Sequence, residues 1–163
     1  MSAREHAGEV GAVGSADGTN ATRRGRLLDM VTAAVALVGL ADALYLTVQH
    51  LSGRSVICVA TTGCDKVLQS HYATLPGGYP LAALGAVAYF TVFSLATLSA
   101  FGHRAASKLL APVVALMLLS TLYLLYLQAF VIEAFCSYCL LSAAVTTVLT
   151  ALVVSRLVLV RRD

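Results

Sequence analysis

Of this chain's 163 residues 59% are hydrophobic and only 12% are charged, against about 25% charged in an ordinary soluble domain. The net charge of +3 is too small for a nucleic-acid surface, so nucleic acid is not an expected partner, and four cysteines are too few for a disulfide-stapled scaffold. Tryptophan is absent, which leaves Tyr and Phe as the aromatic anchors for a membrane interface.

Residues 1–26 mix Gly, Ala, Ser, Thr and charge without apolar periodicity, and the expectation is a disordered tail. The apolar stretch that follows is too long for the h-region of about 7–15 residues in a signal peptide. It is read as a first membrane span over 27–51, with Asp29 near its start and Asp42 within it. At about 1.5 Å per residue, such a helix crosses a hydrocarbon core of about 30 Å. Residues 52–80 form the one long connection, punctuated by Gly53, Gly63, Pro76, Gly77, Gly78 and Pro80. Its middle, 64–70, is expected to form a short helix on the membrane surface, with Asp65 in the first turn where the helix dipole favours an acid. Three uncharged spans follow over 81–101, 109–132 and 135–154; Glu133 is the only charge between Leu109 and Ser155 and marks the turn between the last two. A basic tail, 156–163, closes the chain, so the catalytic unit is expected within 27–155. The fold class is all-α: an integral membrane four-helix bundle with a short capping helix in its first extracytoplasmic loop.

Orientation follows from the basic residues. With four spans, Arg4, Arg23, Arg24, Arg26, Arg104, Lys108, Arg156, Arg161 and Arg162 fall on one side, and only Arg54 and Lys66 on the other. Both termini are therefore expected in the cytoplasm and all four cysteines outside it, on a cell (inner) membrane. That is the side where disulfides form and persist.

The cysteines come as two pairs: Cys58 and Cys64 in the long loop, and Cys136-Ser137-Tyr138-Cys139 at the start of the last span. At i and i+3 of a first helical turn, Cys136 and Cys139 share a face, with Cα atoms about 5–6 Å apart, within disulfide range. A helix N-terminus stabilises a thiolate, and C-x-x-C is the spacing of reversible disulfides. Cys139 sits about 4.5 Å deeper than Cys136. The deeper sulfur is the one a lipid-dissolved acceptor reaches, and the shallower is the one other thiols reach. A mobile loop pair can visit both a soluble partner and Cys136. The expected relay runs from a reduced partner to Cys58/Cys64, then to Cys136/Cys139, then to a quinone. Two other readings compete with it. Static structural disulfides have little reason to sit in the first turn of a membrane helix, and a zinc site favours shorter knuckle spacing than that of Cys58 and Cys64; no metal is expected.

With these residues assembled, the chain resembles the vitamin K epoxide reductase family. The loop reads Cys58-x5-Cys64-Asp65-x-Val67-Leu68-x-Ser70-x-Tyr72, then Gly78-x-Pro80-Leu81-x3-Gly85-x3-Tyr89, and the last span opens with Cys136-x-x-Cys139. The likeness covers about 27–154. It implies a four-helix bundle around a quinone (menaquinone or ubiquinone), capped by the loop helix. It implies that Cys136 and Cys139 are the active pair and Cys58 and Cys64 the shuttle pair, and it associates Ser70 with the quinone site. Bacterial members oxidise thioredoxin-like disulfide-forming partners, sometimes through a fused thioredoxin domain. None is seen here, so the implied partner is a separate protein. Reduction of vitamin K epoxide or quinone as the physiological task is the alternative emphasis of the same chemistry.

Asp42, an ionisable group within a span, is a further quinone-site candidate as a proton relay. His50 and His71 are candidate proton carriers on the outer side. Tyr45, Tyr89, Tyr123, Tyr126 and Tyr138 are expected to line the bundle or anchor its interface. Gln128 is expected to bond across helices or to a quinone carbonyl.

Overall fold

In the computed structural model the described residues are 3–53, 63–68, 73–74 and 80–162. Five helices account for nearly all of them: α1 (Ala3–Leu51), α2 (Cys64–Leu68), α3 (Leu81–Ala100), α4 (Arg104–Phe130) and α5 (Ser137–Arg162). Four are long and apolar enough to cross a membrane, over Arg23–Leu51, Leu81–Ala100, Arg104–Phe130 and Ser137–Leu159. The protein is thus an all-α, multi-pass membrane bundle.

Helix α1 extends N-terminally of the expected start at Leu27, back to Ala3. No proline falls in this stretch, and adding residues to an existing helix is far easier than nucleating one. Helix α4 ends at Phe130. The amides of Val131 and Ile132 both bond to the Leu127 carbonyl, and Glu133 takes a left-handed conformation (φ 51°) that turns the chain. Helix α5 therefore starts at Ser137, two residues later than expected from sequence.

The spans pack as a ring: α1 against α3 and α5, and α4 against α3 and α5. Small side chains line much of the centre, including Ala36 and Ala43 of α1 and Ala86 and Ala96 of α3, with Val92 of α3 and Val145 and Leu149 of α5 filling the space between them. Small residues let helix backbones approach closely where lipid offers no hydrophobic drive to association. Many large apolar side chains point outward; Leu44, Val87, Phe90, Leu116, Leu119 and Phe130 are all exposed. In water such a surface would aggregate, and in lipid it is solvated.

Two polar ties lock the ring. Tyr89 of α3 reaches diagonally to α5, its hydroxyl 2.7 Å from Ser142 Oγ, 3.0 Å from the Ser142 carbonyl and 3.0 Å from Thr146 Oγ1. Gly39 of α1 makes room for that ring: a methyl there would stand 2.6 Å from Tyr89 Cδ1 and Cζ. Nearer the other end, Arg156 Nε lies 2.7 Å from Asp29 Oδ1, while Ser99 Oγ donates to Asp29 Oδ2 at 2.8 Å. Arg156 also donates to Ser99 Oγ at 2.8 Å, so α1, α3 and α5 are joined by one buried cluster. A carboxylate this deep is tolerable only when paired and hydrogen-bonded.

Candidate functional site

The chemistry-bearing residues gather at the end of the bundle opposite the Asp29–Arg156 pair. A second buried cluster forms there from Leu46, Cys64, Val67 and Cys136, with Ile132, Tyr138 and Cys139 packed against it. Helix α2 lies over this end, and Val67 and Leu68 close the top of a cavity of about 160 Å³. Most of the lining is aliphatic. The exceptions include Asp42, His50, Tyr89, Gln128, Cys139 and Ser142. An apolar cleft with a few convergent polar groups is the usual form of a small-molecule site.

Gly63 brings the loop onto the active turn. A Cβ at this position would lie 2.8 Å from the Phe135 carbonyl and 3.0 Å from Ala134 Cβ. Only a glycine lets the backbone before Cys64 rest directly on the backbone before Cys136. Both cysteines are buried as a result, at 1% and 0% exposure.

Cys136 is the N-cap of α5, since its carbonyl accepts the first helical bond, from the Leu140 amide at 3.0 Å. A side chain at this position accepts from the unpaired amides of the first turn. The Cys136 sulfur does so. Its thiol is lowered from 9.0 to about 7, chiefly by a hydrogen bond from the Cys139 thiol. Burial opposes the shift, the backbone amides of Cys139 and Tyr138 add to it, and the charge of Asp42 works against it. Cys136 and Cys139 are free thiols, whereas Cys64 is disulfide-bonded.

The two thiols face different surroundings. Cys139 lines the cavity. Cys136 belongs to the buried cluster that holds Cys64. Asp42 also lines the cavity, and its Oδ2 has no hydrogen-bond partner among the described residues. His50, two turns along α1 from Asp42, reaches the same cavity. Gln128, buried at the end of α4, accepts a hydrogen bond from the Cys136 amide through Oε1 at 3.3 Å. Its backbone carbonyl accepts from the Ala134 amide at 3.2 Å.

Of the other residues singled out in the sequence, Cys58, Ser70 and His71 lie outside the described residues. Tyr45 and Tyr138 stack beside the cysteines, ring centroids 5.4 Å apart. Tyr123 and Tyr126 face outward on α4, with Tyr126 stacked on Phe130 at 5.1 Å. Ser142 and Thr146 were not foreseen. Hydroxyls scattered in an apolar helix carry no signal until the partner that they bond, here Tyr89, is known.

Residues 30–154 match the vitamin K epoxide reductase family. The match spans most of the chain and takes in the cavity, α2 and the Cys136–Cys139 turn. The chain therefore belongs to the vitamin K epoxide reductase family, and is a membrane oxidoreductase that links thiols to a quinone.

Proposed function

We propose that this protein generates disulfides in a separate, thioredoxin-like extracytoplasmic partner and passes the electrons to a lipid quinone. The observation that carries the reading is the division of the Cys136–Cys139 turn. One sulfur lines an apolar cavity, and the other sits in the cluster that buries Cys64.

The relay balances as follows. A reduced partner gives up two thiol hydrogens and becomes a disulfide, while a Cys58–Cys64 disulfide is opened to two thiols. The Cys64 thiolate attacks Cys136 of a Cys136–Cys139 disulfide and frees Cys139. Cys58 then attacks Cys64, which restores the loop disulfide and releases Cys136. The product of these steps carries a loop disulfide beside a reduced Cys136–Cys139 pair. In the last step the two thiols become a disulfide, and two electrons and two protons convert the quinone to a quinol. Cys139, on the cavity side, hands over the electrons. Cys136, poised near neutral pH, is the nucleophile that closes the disulfide.

The fit of the cavity to a quinone rests on its aliphatic walls and on an unpartnered carboxyl oxygen within it. Asp42 would hold and move a proton there, and Ser70, from the capping loop, is the second candidate for that site. The catalytic unit comprises 27–155, flanked by the cytoplasmic segments 1–26 and 156–163.

The test is purified protein with menaquinone or ubiquinone and a reduced thioredoxin-like substrate. C139A is expected to abolish quinone reduction. D42N is expected to slow it at least tenfold while leaving thiol exchange between partner and protein intact. Unchanged turnover in C139A would remove the assignment, and unchanged turnover in D42N would remove Asp42 from it.

A further inference from the structure

Gly39 and Gly63 are glycines because neighbouring atoms leave no alternative: the Tyr89 ring crowds the first and the Phe135 backbone the second. Gly85 of α3 is under no such pressure. Among the described residues, a Cβ at this position would meet only Ala43 Cβ of α1, at 3.9 Å, an ordinary van der Waals contact.

The position nevertheless faces inward. Gly85 lies one helical turn from Tyr89 in one direction and one turn from Ala82 in the other, and all three line the cavity. Leu84 and Val87, on the opposite face of the same turn, are exposed. Ala43 reaches the cavity from α1, and Cys139 and Ala143, a turn apart, reach it from α5. A side chain at position 85 would therefore grow into the cavity and not into lipid.

Glycine inside a helix is less favourable than alanine, so its presence asks for a reason. In membrane helices the usual reason is close approach of a neighbour. Helices α1 and α3 do pack against each other, but the 3.9 Å to Ala43 already leaves room for a methyl group. Helix packing thus makes no demand for glycine here. What the missing side chain preserves is empty volume, in a cavity of only about 160 Å³.

We infer that Gly85 is a specificity-determining residue of the cavity: the space left by its absent side chain admits the ring of the quinone, and it sets the widest ring that fits. The inference rests on the proposed reading of the cavity as the quinone site. Each carbon added to the wall takes the place of a carbon of the bound ring, so a fused two-ring head group is displaced before a single ring is.

The test compares wild type with Gly85→Ala and Gly85→Leu. Each protein is oxidised beforehand, so that no thiol consumes the ligand, and is titrated calorimetrically in detergent. The probes are 2,3-dimethyl-1,4-naphthoquinone and tetramethyl-1,4-benzoquinone, whose rings have no carbon open to thiol addition. G85A is expected to bind the naphthoquinone about tenfold more weakly, the effect of overpacking by one methyl group, and to lose less affinity for the benzoquinone. G85L is expected to bind neither. The thermal midpoint of G85A without ligand is expected to stay level or rise, because alanine is the better helix former. A glycine that served helix packing would give the reverse, a lower midpoint with wild-type affinity, and that result would overturn the inference. Wild-type affinity for the naphthoquinone in G85L would overturn it as well, and so would an equal loss for both quinones in G85A. Failure of the broader reading looks different: the wild-type protein itself would then bind neither quinone, before any variant is compared, and both proposals would fall.

Discussion

Two cysteines three residues apart on one helical turn are chemically unequal here. Cys136 caps the helix and collects the amides of the first turn, and its thiol falls from 9.0 to about 7. The reactive form of a thiol is the thiolate. Exchange at Cys136 is therefore expected to quicken from about pH 6 and to level off by about pH 8, whereas an ordinary thiol would still be gaining at pH 9. Stopped-flow reaction of the reduced protein with a small disulfide reagent checks this; a rate still climbing steeply above pH 8 would contradict the N-cap account. The inequality of the two cysteines was legible in the sequence through helix depth alone. Which groups enforce it was not. Gln128 was expected to bond across helices or to a quinone carbonyl, but its partner, the Cys136 amide, could not be named before the turn at Glu133, with its left-handed conformation, was known.

At the scale of elements, four apolar runs and a five-residue capping helix were readable because lipid demands long uninterrupted helices. Which faces meet was not readable. The mean burial of each span is low and the apolar pattern goes all the way round, so no stripe marks the interface. The neighbours are instead chosen by small residues and by isolated hydroxyls. Gly39 is the clearest case, since the Tyr89 ring occupies the space where any side chain would stand. Gly39→Ala is expected to destabilise the bundle by about 1–3 kcal/mol, the usual cost of overpacking. A thermal shift in detergent or lipid nanodiscs measures it, and an unchanged midpoint would show that α1 and α3 can separate without loss. Gly63 plays the matching part in the loop, where it lets α2 settle on the Cys136 turn.

For the molecule as a whole, the ring of spans places Cys64, Cys136 and Cys139 at one end and the Asp29–Ser99–Arg156 cluster at the other. The basic residues outside the long loop fall at the latter end, and the positive-inside rule leads us to propose that this end is cytoplasmic. A membrane-impermeant maleimide applied to reduced, intact cells or spheroplasts is expected to label the loop cysteines, and to miss a cysteine introduced at Ser107. Labelling of Ser107→Cys from outside would reverse the assignment. Arg156 joins the buried pair in the finished bundle, a role that its place in a basic tail did not disclose.

Tyr89, tied to Ser142 and Thr146, forms the floor of the cavity, and beneath it Val92, Ala96, Leu110, Val114 and Leu149 fill the middle of the ring. This packing is a dielectric barrier several turns thick. Among the described residues, the side chains that fill this layer are apolar. On the proposed relay, both hydrogens leaving the thiols and both arriving on the quinone are expected to stay on the cysteine side, with no net charge crossing the bilayer. On this architecture the enzyme does no electrical work: a voltage-sensitive dye in sealed vesicles should stay silent through many turnovers.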